Sequence, residues 1–167
     1  PRPPQRVGDG VRSTVADQNR IPVPAVRTRK TAVQSLVNAT QTVVTFDAED
    51  YKTDPLMHDN TTNPSRLTVI TAGKYRIQAT VVFAASATGG RAVVFRKNGA
   101  TYLGGAHGAA NSIGTEDSAV SASTTADLAV GDYVECQAYQ VSGGALNVNV
   151  ASGAVGIPTH FGMERLS

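Results

Sequence analysis

The side chains best able to do chemistry in this chain are scattered along it. His58, His107 and His160 are far apart, with none of the close spacings, such as His-x-x-x-His, that set two imidazoles on one metal. They read as surface or interface histidines. Cys136, the one cysteine, sits between Val134 and Ala138 on an inward apolar row, so a buried, inert thiol is expected. Asp47, Glu49, Asp50 and Asp54, with Asp59 just beyond, are the metal candidates, because calcium takes several hard oxygens from one loop. Their spacing lacks the EF-hand order with its central glycine and terminal glutamate. The acids therefore read as solvated loop residues, with calcium as the alternative, or as a landing place for a basic segment of a neighbouring subunit. Glycines at 104, 105, 108 and 114 suggest a flexible loop, yet no Gly-Lys-Ser/Thr follows to cradle phosphate. There is no Gly-x-Ser-x-Gly elbow and no pair of groups to nominate as acid and base, so neither an enzyme nor a cofactor is expected.

What must position these residues is divided near Lys30. Residues 1–30 hold five of the eight prolines, seven Lys/Arg against two Asp, a formal +5, and no aromatic residue. The other 137 residues carry eight cations against eleven anions, a formal −3, and every Phe and Tyr. The expected division is an extended, basic, proline-rich arm (1–30) and a body (31–167) long enough to bury its own core. Pro1-Arg2-Pro3-Pro4 and Ile21-Pro22-Val23-Pro24 favour polyproline-like backbone and break any helical period. No apolar run is long enough to span a bilayer, so membrane insertion is not expected, and no signal-peptide pattern opens the chain. An initiator methionine removed before Pro1 would make this a complete, intracellularly made protein.

From Thr31 onward the pattern is short and period-two. Tyr75, Ile77, Ala79, Val81 and Phe83 alternate with Arg76, Gln78, Thr80 and Val82. Val120 to Leu128, Val134 to Ala138 and Leu146 to Val150 repeat the alternation. Asn98-Gly99 marks a two-residue hairpin, because both positions accept positive φ. Further turns are expected at Gly89-Gly90, Gly131-Asp132 and Gly143-Gly144. Short strands with turns at this spacing indicate an all-β antiparallel sandwich or barrel with one face of each strand buried. Tyr133 and Tyr139 share the face opposite Cys136, where aromatic exposure suits a second layer or, in a trimer, the subunit interface.

Several segments together resemble the globular head of the complement C1q and tumour necrosis factor superfamily. They are Val44-Thr45-Phe46-Asp47, Leu67 to Tyr75 with its Gly-x-Tyr entry, Arg96-Lys97-Asn98-Gly99, Leu128 to Val134 with its Gly-Asp turn, and the closing His160 to Leu166. The likeness implies a jelly roll of about ten strands that assembles as a homotrimer. No collagen-like Gly-X-Y stalk is present, and the basic arm stands in its place. The wording of Asp59 to Leu67 and Ser142 to Val148 resembles small C1q-like proteins of actinobacterial bacteriophages, minor tail or other virion-surface proteins.

That resemblance implies a non-enzymatic virion structural protein, on the tail in preference to the capsid, made in the cytoplasm of the host bacterium. The arm would dock on another virion protein through Arg2, Arg6, Arg12, Arg20, Ile21, Pro22, Val23, Pro24 and Arg27. A proline-broken arm becomes ordered by lying on another surface, and proline lowers the entropy lost in doing so. Nucleic acid is a poor partner for it, since the cations are dispersed and no aromatic stacks between them. Tyr133 and Tyr139 would lie at the trimer interface. The loop 100–118, with Tyr102, His107 and Asn111, would face outward to touch a host glycan or protein. The alternatives are a capsid decoration protein using the same arm, and a free carbohydrate- or protein-binding module with the arm as linker.

Overall fold

Strong alternation with glycine-marked turns builds sheets and nothing else. The computed structural model describes residues 22–167, and among them are twelve strands, a 3-10 turn at Pro55–Met57 and no α-helix. The strands are β1 (Ala25–Arg29), β2 (Gln34–Leu36), β3 (Thr42–Val43), β4 (Ala48–Lys52), β5 (Arg66–Thr68) and β6 (Gly73–Phe83). They continue as β7 (Gly90–Lys97), β8 (Thr101–Ala109), β9 (Ser118–Leu128), β10 (Tyr133–Gln140), β11 (Leu146–Asn149) and β12 (His160–Arg165). One sheet runs β2-β11-β6-β12-β1-β4, with β9 along the other edge of β6. The second runs β3-β10-β7-β8, with β5 beside β3 on the same edge of β10. The result is the antiparallel jelly-roll sandwich expected from the sequence.

The anticipated inward rows form the core. Tyr75, Ile77, Ala79, Val81 and Phe83 are buried while Arg76 and Gln78 are exposed. Registers place Val26 beside Met163, Phe161 beside Ala79 and Ala122 beside Ala79 on its other side, so the seven-stranded sheet offers one continuous apolar face. Val93 and Phe95 of β7 and Val134, Cys136 and Ala138 of β10 face it from the other sheet. Phe161 occupies the middle, its ring centroid 5.9 Å from Phe95 across the sandwich and 5.5 Å from Phe46. Cys136 is fully buried, and burial pushes its thiol far above the ordinary cysteine range, which leaves it unreactive.

Two of the turns named from sequence are joined to each other. Asn98 and Gly99 have φ of 52° and 69°, the left-handed pair a tight hairpin requires. Asn98 Nδ2 donates to Asp132 Oδ1 at 2.8 Å, and the Tyr133 amide donates to Asn98 Oδ1 at 2.9 Å. Asp132 Oδ2 accepts from the Ala129 amide at 2.9 Å, and Lys97 Nζ stands 3.5 Å away. One carboxylate therefore fastens the β7–β8 hairpin to the β9–β10 turn. Asp132→Ala is expected to cost about 1–3 kcal/mol by orphaning these donors. The check is the urea midpoint, and an unchanged midpoint would show that the two turns hold without it.

Two boundaries differ from the sequence reading. The arm was expected to run to Lys30, but Ala25–Arg29 is β1, hydrogen-bonded to β12 on one side and β4 on the other. Three of the seven cations counted to the arm, Arg27, Arg29 and Lys30, are accounted for within the body. Arg29 bonds Asp50, and Arg27 Nε lies 3.2 Å from the same carboxylate. Lys30 is buried, its ammonium donating to Thr45 O at 2.8 Å and to Gln34 Oε1 at 3.2 Å. The second difference is the loop expected at 100–118, most of which is β8, leaving 110–117 as the connection to β9. Glycine serves close packing there. A Cβ at Gly104 would stand 2.9 Å from Thr124 Oγ1 of β9, and one at Gly105 would stand 2.4 Å from Val93 O.

Candidate functional site

The antiparallel registers give the sandwich two different ends. Ala25, Arg165 and Tyr75 lie together at one end, with the Asn98-Gly99 hairpin and the Gly131-Asp132 turn. Phe83, Ser118, Ala109 and Gln140 end their strands at the other, where Val148 pairs with Phe83. From that second end project the connections 84–89, 110–117, 141–145 and 150–159, together forming a tip opposite Pro22 and the closing residues of β12.

The tip is a set of loops pinned by side chains. Asp117 accepts from Asn149 Nδ2 at 3.2 Å and from the Gly153 amide at 3.1 Å, tying two connections together. Gln140 donates to Gly144 O and accepts from the Ser142 amide, and Asn38 accepts from the Gly143 amide. Beneath the 84–89 connection Arg91 is fully buried with no carboxylate partner. Its guanidinium donates to Thr88 O and Gly90 O, both at 3.0 Å, and to Ser86 O at 3.4 Å. Burial lowers its pKa, and the loop wraps its carbonyls around the charge in compensation. On this pinned base, Ile113, Val155 and Ile157 are exposed at 65%, 71% and 40%. Sequence reasoning nominated none of them. The available signal was an isolated apolar residue flanked by Ser and Gly, as in Ser112-Ile113-Gly114 and Val155-Gly156-Ile157.

The residues nominated from sequence are placed separately. Arg2, Arg6, Arg12, Arg20 and Ile21 lie outside the described residues. Pro22 and Val23 are exposed, Pro24 accepts the Arg165 amide at 2.8 Å, and Arg27 is inside β1. Of the outward trio, Tyr102 and His107 stand exposed on β8, while Asn111 is turned to its own loop, bonding Glu116 Oε2 and the Ile113 amide. Tyr133 and Tyr139 are half-buried on the outward face of the five-stranded sheet, with the Arg66 guanidinium 4.0 Å above the Tyr133 ring.

The calcium candidates do not converge, and no cluster of three or more metal-ligating side chains exists among the described residues. Asp47 accepts from the Thr31 amide and hydroxyl, Asp50 meets Arg27 and Arg29, and Asp54 caps the 3-10 turn through the Leu56 amide. Asp59 accepts the Thr61 and Thr62 amides, which brings its carboxyl down to about 2. Glu49 is the most heavily engaged, bonded by Lys52 Nζ at 2.9 Å, Asn60 Nδ2 at 2.8 Å and His58 Nδ1 at 3.0 Å. The His58 ring is enclosed, with Nε2 3.2 Å from Pro64 O, so the group locks the 53–65 segment onto β4.

Partial burial would raise the Glu49 carboxyl, but hydrogen bonds from His58, Lys52 and Asn60 outweigh it and hold it at about 2 against an ordinary 4.5. Because the folded value is the lower one, the stabilisation is complete above the ordinary value and disappears as pH falls toward the folded one. The loss expected across that window is about 3 kcal/mol. Glu49→Gln should flatten the stability profile between roughly pH 5 and pH 2 relative to the native chain. Parallel profiles would remove Glu49 as the acid-sensitive group.

No protein-family model and no curated protein matches the chain. Solved structures do. Murine APRIL at pH 5.0 superposes with a TM-score of 0.60 at 14% identity, covering 87% of this chain and all of that one. The globular domain of zebrafish complement 1qA gives 0.57 at 13% identity, over 86% of this chain and 98% of the other. Eiger TNF from S. frugiperda gives 0.57 at 12%, over 87% and 94%. At these identities the likeness is one of architecture, and the chain has the jelly-roll fold shared by tumour necrosis factor and C1q heads.

Proposed function

We propose that the chain is a non-enzymatic bacteriophage virion protein, a minor tail protein that assembles as a homotrimer, docks by its N-terminal arm and turns its tip toward the host surface. The observation that carries this reading is the polarity of the head. The chain enters at Pro22–Ala25 beside the closing strand, while the pinned loops with exposed Ile113, Val155 and Ile157 lie at the opposite end. A segment attached at the first end leaves the second free to meet a partner.

The subunits meet on the outward face of the seven-stranded sheet. From Ala119 to Thr125 its exposed side chains on β9 are short (Ala119, Ser121, Ser123 and Thr125), with Asp127 paired to Lys74 beyond them, and a shallow depression of about 280 Å³ opens between Gln78, Thr80, Ser121, Ser123 and His160. Short side chains let a second copy approach closely. Tyr133 and Tyr139 belong to the other sheet and are left out of this contact.

The test is incorporation. Particles are assembled with the full chain or with a chain lacking residues 1–21, both checked as trimers by native mass. Loss of the truncated trimer from particles supports docking by the arm, and normal incorporation overturns it. Copy number then separates the two virion locations: a few trimers per particle fits a tail, and hundreds would mean a capsid decoration protein.

A further inference from the structure

The outward face of the five-stranded sheet carries an arrangement that neither the core nor the tip uses. Register aligns Arg66 of β5, Glu135 of β10, Arg96 of β7 and Tyr102 of β8 in one row across four strands. Glu135 is taken from one side, by Arg66 Nε at 3.1 Å and Ser65 Oγ at 3.2 Å. Arg96 instead lies over the Tyr102 ring at 4.2 Å, and that ring is fixed by its hydroxyl donating to Gln41 Oε1 at 2.8 Å. Among the described residues, every other Lys and Arg makes a hydrogen bond or an ion pair. Arg96 makes neither, and its Nε is enclosed without a partner. In the next row Gln137 is 6% exposed, and its Oε1 is likewise enclosed and unbonded. Tyr139 lies one row further on the same face.

An enclosed donor and an enclosed acceptor left open on one face are costly unless something fills them. The ring beneath it restrains the cation, whose terminal N–H groups can then take a carboxylate. The amide can accept from one ring hydroxyl and donate to the next, and a tyrosine face can cover the apolar C–H face of a sugar ring. We propose that this face binds an acidic saccharide, with the carboxylate on Arg96, adjacent hydroxyls on Gln137 and the sugar ring against the flanking tyrosines. Charge complementarity selects the acidic class, because Arg96 is the one described cation without a counter-charge or hydrogen bond. The inference rests on the reading of the chain as a surface-contacting head, and it names the ligand class and the face. It is independent of how the arm docks.

The test uses a matched pair of probes, 3′-sialyllactose and lactose, which differ by one carboxylated sugar, titrated into the full chain and followed by NMR shifts and calorimetry. Binding of sialyllactose with lactose about tenfold weaker or undetectable is expected, since most of the affinity comes from the charge-assisted pair. Arg96→Gln should lose about tenfold for sialyllactose, and Gln137→Leu should weaken it separately, both with an unchanged melting temperature. Arg165→Gln, at the far end of β12 beside Tyr75, should leave binding as it was. Three results overturn the proposal: no shift with sialyllactose, equal binding of lactose, or native affinity in Arg96→Gln. An acidic peptide, oligoglutamate, that binds as tightly at Arg96 would also overturn it, because the site would then read charge and not sugar. None of these outcomes bears on particle incorporation, so failure here and failure of the virion reading remain distinguishable.

Discussion

Removing residues 1–30 is expected to abolish cooperative folding, whereas removing residues 1–21 is expected to leave a head that melts as the full chain does. The difference lies in β1. That strand fills the space between β12 and β4, pairing Ala25–Arg29 with His160–Glu164 on one side and, through a bulge, with Ala48–Lys52 on the other. Its loss strips β12 of one neighbour and leaves β4 with none. It also removes buried Val26 and Thr28, whose hydroxyl donates to Phe161 O at 2.9 Å, and buried Lys30, whose amide donates to Thr159 O at 3.1 Å. Those losses fall on a domain whose net stability is only roughly 5–15 kcal/mol. Far-UV circular dichroism and thermal melts of the two truncations decide it. A shorter chain with the same cooperative transition as the longer one would mean that β1 is dispensable.

Phe161→Ala is expected to destabilise the head by about 3–5 kcal/mol, a large share of its total stability. Phe161 is fully buried and links three parts of the chain: its own strand β12, Phe95 of the facing sheet, and Phe46 on the segment between β3 and β4. The Phe95 contact is nearly parallel, at 13°, and the Phe46 contact is tilted at 38°. Truncation removes the transfer free energy of the ring and leaves a cavity that two rigid sheets cannot close. Phe161→Leu, which keeps most of the volume, should cost about 1.5 kcal/mol or less. Urea denaturation measures both. A Leu variant as damaged as the Ala variant would show that ring geometry, and not volume, is what the site requires.

How much of this was legible in the sequence follows from the range of each determinant. The Asn98-Gly99 hairpin and the inward row Tyr75–Phe83 were readable because residue type alone sets them, through positive φ in one case and period two in the other. β1 was missed although Val26, Thr28 and Lys30 alternate with Ala25, Arg27 and Arg29, because proline and charge dominate that stretch. What neutralises Arg27 and Arg29 is Asp50, more than 20 residues away and adjacent only once the sheet exists. β8 was read as a flexible loop for a related reason. Its glycines signal freedom locally, but in the sandwich they mark where β9 and Val93 leave no room for a Cβ. The acids between Asp47 and Asp59 read as solvated loop residues with calcium as the alternative, yet each is engaged by a hydrogen bond or cation that sequence spacing does not show. The tip and the Arg96 face were invisible for the same reason. Both are made by side chains brought together from distant strands.

The measurement that bears most directly on the proposed role is an electron cryo-microscopy map of the assembled particle, resolved well enough to orient individual heads. Expected are three copies around a threefold axis on the tail, with Pro22–Ala25 and the Asn98-Gly99 hairpin toward the particle and Ile113, Val155 and Ile157 toward solvent. Heads lying with the tip against the particle, or particles without this chain, would contradict it.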